Sequence, residues 1–145
     1  MIASHDWLKA FVPHALSPQQ VGELLSRHVA TLEGLAPVRA DLAPFVVGQV
    51  VHSEKIPETR LSFNKVDAGT GTLLEVVCGA PNVEVGTKYP FAPVGTVVVH
   101  KGGMLIERRK IRGFKSAGML CSAAELGIGA DADGILPLAT DAAPG

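Results

Sequence analysis

The sequence "RRKIRGFKSAGMLCSAAELGIG", residues Arg108 to Gly129, combines a charged segment, a tight turn and a patch of small residues. Four of its first five residues are cations. Because side chains alternate along a strand, the spacing predicts that Arg108, Lys110 and Arg112 line one face. Gly113 then predicts a turn. The stretch therefore predicts a charged strand face that ends at a glycine corner.

Short strand patterns surround this stretch on both sides. A valine run with an internal glycine suggests a bulge or a coiled barrel strand. Two alternating segments joined by Ala-Gly-Thr-Gly follow it and predict a hairpin. A single capped helical turn is predicted over 122–127. Five or six short strands broken by Gly and Pro predict a small closed or partly closed β-barrel. The predicted strand segments are 45–54, 61–69, 72–79, 89–99, 104–113 and 134–138.

The first 44 residues have a different pattern. Apolar residues over 6–12 recur at helical spacing, and a second helix is predicted after Ser17, with Pro18 at its first position and Gln20 completing a capping box. A strand is predicted over 29–38. About 45 residues seldom fold alone. We therefore expect 1–44 to be an incomplete N-terminal α/β segment and 45–145 to be the barrel domain.

Composition excludes several classes of protein and site. With 47% hydrophobic residues among 145, the chain can form a packed core, and a net charge of −1 gives no general sign of nucleic-acid binding. The cysteines Cys78 and Cys121 form no metal-ligand motif, the five histidines are scattered, and no nucleotide-binding glycine loop occurs. Catalysis and resident metals are not expected. The absence of a signal or apolar span predicts a cytoplasmic protein without membrane contact.

The distribution of charge is more informative than its total. Residues 45–118 hold ten bases and six acids, a net charge of +4, whereas 119–145 hold four acids and no base. Six of the thirteen bases lie within fifteen residues, and alternate cations on a strand are spaced about 6–7 Å apart, close to the repeat of a phosphate backbone. A solvated strand face is the alternative interpretation. The six bases are Lys101, Arg108, Arg109, Lys110, Arg112 and Lys115.

Three motifs resemble a known family. "VVCGAPNV" (76–83), "KIRGFKSAGMLCSAAELGIG" (110–129) and "DGILPL" (133–138) resemble the tRNA-binding domain of the endothelial-monocyte-activating-polypeptide type. With "SHDWLKAFVP" (4–13), their order is similar to the N-terminal part of the bacterial phenylalanyl-tRNA synthetase beta subunit. The resemblance implies a mainly β fold, α+β overall. Its core would be an oligonucleotide-binding (OB) barrel with a short helix, preceded by a piece of a discontinuous domain.

The same resemblance implies that the segment binds tRNA and has no catalytic role. The segment would contribute phosphate and shape contacts to tRNA within a longer protein, an ATP-dependent ligase that attaches phenylalanine to tRNA. Expected partners are tRNA, the rest of the beta subunit and the alpha subunit; ATP and Mg²⁺ would act elsewhere in the enzyme. Two alternatives remain: a packing module with little RNA contact, and a free-standing tRNA-binding or chaperone-like dimer.

The spacing and charge of the cations, together with the resemblance, predict a set of RNA-binding residues. The loop "KIPETRL" (55–61) lacks the family's Asn and Asp, and only Phe63, Tyr89 and Phe91 could stack on bases, which favours phosphate contacts over base recognition. The predicted RNA-binding residues are Arg108, Lys110, Arg112, Lys115, Lys101, Arg60, Asn82 and Ser116.

Overall fold

The computed structural model describes residues 2–145, which form two compact units divided between Val38 and Arg39. Residues 39–44, which the sequence assigns to the first segment, belong by their contacts to the second unit. Arg39 explains this placement, because its guanidinium donates to Asp41 and to the carbonyls of Leu126 and Gly127. That residues 1–44 form an incomplete domain stays a prediction.

The first unit contains two helices, α1 (His5–Phe11) and α2 (Pro18–His28). Both helix predictions are confirmed. The capping box at α2 is complete: Gln20 N donates to Ser17 Oγ at 3.2 Å, and Ser17 N donates to Gln20 Oε1 at 2.9 Å. The strand predicted over 29–38 is absent, and Leu32 N instead donates to Ser26 Oγ of α2 at 3.1 Å.

The second unit is built from nine short strands. Five of them form an antiparallel sheet in the order β3-β2-β1-β4-β9, and the others pair as β5-β6 and β7-β8. Two 3₁₀ turns lie at Ala40–Leu42 and Val99–Lys101. The strands are β1 (Val46–Lys55), β2 (Ser62–Asp67), β3 (Leu74–Cys78), β4 (Lys88–Ala92), β5 (Val97–Val98), β6 (Met104–Leu105), β7 (Arg109–Ile111), β8 (Phe114–Ser116) and β9 (Met119–Leu120).

The predicted bulge and hairpin are confirmed. β1 shifts register against β2 between Val50 and His52, at the end of the valine run. β2 and β3 pair from Ser62↔Cys78 to Val66↔Leu74, as the two alternating segments predict.

The sheet is almost closed into a barrel. At the free edge of β3, Ala117 N donates to Glu75 O at 2.8 Å and Val77 N donates to Ser116 Oγ at 3.1 Å. These bonds join β3 to the segment immediately before β9, so little unpaired edge remains there. The predicted OB-like barrel is confirmed.

Large side chains fill the barrel. Tyr89, Phe91, Val50, Val66 and Val76 are almost fully buried. A second cluster contains Ala92, Val98, Ile106, Cys121 and Leu126.

A glycine corner lies between β8 and β9. Gly118 has a φ of +141°, and a Cβ at this position would overlap the ring of Phe91. Only glycine allows this close approach, so Gly118 sets the corner between β8 and β9.

Two sequence predictions in this unit are wrong. Residues 104–113 are not one strand: β6 ends at Leu105, Ile106 turns into the second core cluster, and β7 begins at Arg109. Residues 134–138 form only an isolated bridge, Lys88↔Leu138. The predicted turn over 122–127 is present, because Glu125 N donates to Ser122 Oγ and Gly127, with a φ of +63°, ends it.

Candidate nucleic-acid interface

The strands β7 and β8 form a hairpin with a two-residue turn at Arg112 and Gly113. Ile111 pairs with Phe114, and the φ angles of the turn residues are +51° and +90°. Two successive positive φ angles describe a type I′ turn, whose twist matches that of the flanking strands. Gly113 was the sequence signal for this turn.

The two faces of the β7–β8 hairpin differ in character. Ser116 is buried, and the Phe114 ring packs against Phe63 with ring centroids 5.2 Å apart. Lys110 and Lys115 are direct cross-strand partners and both are exposed. Because side chains of opposite partners share a face, the hairpin buries one face and presents the lysine pair to solvent.

This lysine pair has no neutralising carboxylate. Within residues 2–145, Arg109 is the hairpin cation that forms an ion pair. Its Nη2 lies 3.5 Å from Glu107 Oε2. Arg108, Lys110, Arg112 and Lys115 have no such partner in this part of the chain and are exposed. Uncompensated cations on one element raise the local positive potential, which attracts a polyanion.

The predicted row of alternating cations needs a correction. Arg108 precedes β7 and Arg112 lies in the turn, so these two residues and Lys110 are not successive positions of one strand face. The structure instead brings Lys110 and Lys115 together across the hairpin, with Arg112 at its tip. The sequence analysis missed this pairing, because it predicted the turn at Gly113 but no returning strand over 114–116.

Lys101 is held by an internal carboxylate. Its Nζ donates to Glu125 Oε1, while Glu125 Oε2 accepts from Ser122 N at 2.8 Å. Burial alone would raise the pKa of Glu125, but the bonds from Lys101 and Ser122 outweigh it and lower the pKa. Lys101 therefore stabilises a turn that lies outside the hairpin.

Asn82 is bonded to a distant segment of backbone. Its Nδ2 donates to Ile135 O at 2.7 Å, and its Oδ1 accepts from Ile135 N at 3.0 Å. Gly134 lies so close that a Cβ there would stand 2.6 Å from Asn82 Oδ1. The amide of Asn82 thus holds residues 134–135 against the barrel.

Ser116 and Arg60 complete the predicted set. Ser116 is buried, and its Oγ accepts from Val77 N and donates to Gly118 O, so the hydroxyl links the hairpin to the barrel. Arg60 is exposed on the loop between β1 and β2, apart from the hairpin in sequence. RNA contact by any of these residues stays a prediction.

The described residues give no sign of a chemical centre. Residues 2–145 contain no group of three or more His, Cys, Asp or Glu that could hold a metal. Burial raises the pKa of the Cys78 thiol and raises that of Cys121 to about 12, so neither is an activated nucleophile. Over the same residues, no helix is long and apolar enough to cross a membrane.

Comparison with known proteins gives consistent matches. The profile of a family described as "Putative tRNA binding domain" matches residues 45–145. The phenylalanine–tRNA ligase beta subunit of Nitratidesulfovibrio vulgaris is 45% identical over 139 residues, which are 95% of this chain and 17% of that protein. The beta subunit of Porphyromonas gingivalis is 37% identical over 150 residues, covering 100% of this chain and 18% of that protein.

The chain thus spans less than a fifth of the length of these relatives. Among solved structures, a MetRS-related protein from Pyrococcus horikoshii aligns with a TM-score of 0.48 and 23% identity, covering 69% of this chain and 84% of that one.

Proposed function

Because the chain belongs to the putative tRNA-binding domain family, we propose that its β7–β8 hairpin binds the phosphate backbone of tRNA. The single observation that supports this site is the exposed, uncompensated pair Lys110 and Lys115 beside Arg112. Cations that contact phosphates displace condensed counterions, and this release favours binding most at low salt. The hairpin therefore supplies sequence-independent affinity.

The aromatic residues favour phosphate contacts over base stacking. Phe63, Tyr89 and Phe91 are buried, and Phe114 packs against Phe63. Within residues 39–145 no aromatic ring is among the exposed large apolar side chains. Since stacking needs an open ring face, the buried state of these Phe and Tyr rings favours phosphate contacts over base stacking.

We further infer that the chain is the N-terminal part of a phenylalanine–tRNA ligase beta subunit. Identities of 37–45% over nearly the whole chain support this, together with coverage of only 17–18% of those relatives. In such an enzyme the segment is non-catalytic, its partners are the rest of the beta subunit and the alpha subunit, and ATP and Mg²⁺ act elsewhere. The expected location is the cytoplasm.

The first unit has the character of an incomplete domain. α1 contains no buried residue, and the only buried residue of α2 is Gly22. Trp7 is 57% exposed and Phe11 is 69% exposed. Apolar surface of this kind is usually covered in the complete protein. This exposure supports the proposal that the first unit, which holds most of the predicted segment 1–44, is completed by further chain.

The test of RNA binding is a comparison of two triple variants. Lys110→Ala/Arg112→Ala/Lys115→Ala removes the hairpin cations, and Lys9→Ala/Arg27→Ala/Lys55→Ala removes three exposed cations elsewhere, so both lower the net charge by three. tRNA affinity is measured by filter binding from 50 to 200 mM salt. A change in net charge alone would affect both variants equally.

The expected result follows from the number of phosphate contacts. If three contacts are lost, the ratio of wild-type to hairpin-variant affinity falls about 20- to 40-fold between 50 and 200 mM salt. The control variant keeps a nearly constant ratio. An equal effect of both variants, or no effect of either, would refute the hairpin as the binding site.

A further inference from the structure

The turn residue Arg112 adopts a backbone conformation that arginine rarely takes. Its φ is +51°, in the left-handed region, at the first position of a type I′ turn. Asn, Asp and Gly are favoured at this position, the first two because their short side chains bond to nearby backbone. Arg112 has no such bond and no ion pair within residues 2–145. The conformation is therefore unfavourable and locally uncompensated.

Arg39 provides an internal comparison at nearly the same backbone angle. Its φ is +52°, but its guanidinium donates to Asp41 at 2.9 and 2.7 Å and to the carbonyls of Leu126 and Gly127. The interactions of the Arg39 side chain thus offset its backbone conformation. At Arg112 the equivalent side-chain interactions are missing.

A second unfavourable feature lies next to Arg112. Lys110 and Lys115 are direct partners, and like charges opposite each other destabilise a strand pair. Because Ile111 and Phe114 flank the two-residue turn, the lysine pair occupies the adjacent, closer cross-strand position, with Cα atoms about 4.5 Å apart. The carboxylate of Glu107 does not offset this repulsion, because it pairs with Arg109.

Packing on the other face explains why the hairpin nevertheless forms. Phe114 covers Phe63, and Ser116 accepts a bond from Val77 N. The barrel therefore holds the hairpin in place while its solvent face contains three unfavourable cations. Glu58, at a φ of +59°, likewise has no side-chain bond within residues 2–145, whereas Arg112 lies beside a pair of like charges. Where two local rules are broken together without structural compensation, a functional position is expected.

We propose that Arg112 is kept in this strained position for an anionic ligand, a phosphodiester group of RNA, which relieves the repulsion between Lys110 and Lys115 when it binds. This inference rests on the proposed function and specifies it. The hairpin is less stable than it would be with a favoured turn residue and without the like-charged pair, and these same cations bind phosphate. Substitutions that improve the turn or the strand pair should therefore raise stability and lower affinity together.

The test measures the unfolding temperature and the tRNA affinity of each variant. Arg112→Asn places a favoured residue in the turn, and Lys115→Glu gives Lys110 an opposite charge. Both are expected to raise the unfolding temperature by a few degrees and to lower tRNA affinity at least about threefold at 100 mM salt. Arg112→Lys keeps the charge and the unfavoured turn residue, so the unfolding temperature should stay near that of the wild type and the affinity should fall less than in Arg112→Asn. Arg39→Asn is the matched control and should lower the unfolding temperature without changing affinity.

The outcomes separate this inference from the proposed function. If Arg112→Asn lowers affinity but does not raise the unfolding temperature, the inference is refuted while RNA binding by the hairpin stands. If the unfolding temperature rises but neither this variant nor the hairpin triple variant loses affinity, the proposed function is refuted. A parallel arm with inorganic phosphate tests the ligand: stabilisation of the wild-type chain by millimolar phosphate equal to that by tRNA would contradict an RNA ligand.

Discussion

Replacement of Asn82 by alanine tests whether this residue is architectural. The change removes two hydrogen bonds, of 2.7 and 3.0 Å, to the backbone of Ile135, which is only 4% exposed. Each backbone group left without a partner in a buried position costs about 1–3 kcal/mol. Part of this penalty is recovered if water enters, so we expect Asn82→Ala to lower the free energy of unfolding by about 2–4 kcal/mol.

The assay is urea denaturation followed by circular dichroism, with tRNA affinity measured on the folded fraction. Asn82→Asp keeps the acceptor for Ile135 N but turns a carboxylate oxygen, in place of the donor, toward Ile135 O. Because two acceptors then face each other, this variant should also lower the free energy of unfolding. Affinity per folded molecule should be unchanged in both variants. A loss of stability below about 0.5 kcal/mol together with weaker tRNA binding would refute this reasoning and identify Asn82 as an RNA contact.

Three further changes test other parts of the structure. Gly118→Ala should lower the free energy of unfolding by at least about 3 kcal/mol, because the added Cβ overlaps Phe91 and the φ is +141°. Urea denaturation measures this loss, and an unchanged free energy of unfolding would contradict the corner geometry. The hydrogen bond from Arg39 holds the pKa of Asp41 well below its usual range. The ionised carboxylate of Asp41 therefore stabilises the folded state fully above about pH 4, and this stabilisation is lost as the pH falls toward the folded-state pKa. Asp41→Asn should therefore lower the unfolding temperature at pH 7, and a scan toward lower pH should show the difference shrinking; a constant difference would contradict the ion pair. Cys121, whose thiol pKa burial raises to about 12, should react with a thiol reagent at pH 8 only after denaturant is added, as mass spectrometry can show.

Local signals in the sequence predicted local structure. The capping residues Ser17, Pro18 and Gln20 define the start of α2 because a helix start depends on a few neighbouring residues. The hairpin of β2 and β3 follows from two alternating segments around a glycine turn. These elements need no information from distant parts of the chain.

The errors arose where distant contacts override the local pattern. Residues 104–113 alternate like one strand, yet Ile106 N donates to Thr96 O at 2.8 Å and the Ile106 side chain enters the core. The strand therefore ends, and the cations after it turn into a separate hairpin. Periodicity in the sequence does not show which of the alternating residues will pack into a core formed by distant parts of the chain.

The candidate site was predictable in composition but not in arrangement. The cluster of cations identified the segment, whereas the cross-strand pairing of Lys110 with Lys115 required the returning strand β8, which the sequence pattern did not predict. For Asn82, the motif alone could not show that the amide bonds to Ile135, which lies 53 positions later.

Lysine labelling in the presence and absence of tRNA tests the location of the interface most directly. An amine-reactive reagent followed by mass spectrometry reports the reactivity of each exposed lysine, including Lys110, Lys115, Lys9 and Lys55. If the hairpin binds the phosphate backbone, tRNA protects Lys110 and Lys115 and leaves Lys9 and Lys55 as reactive as before. Equal protection of all four lysines, or protection of Lys9 and Lys55 alone, would contradict binding at the β7–β8 hairpin.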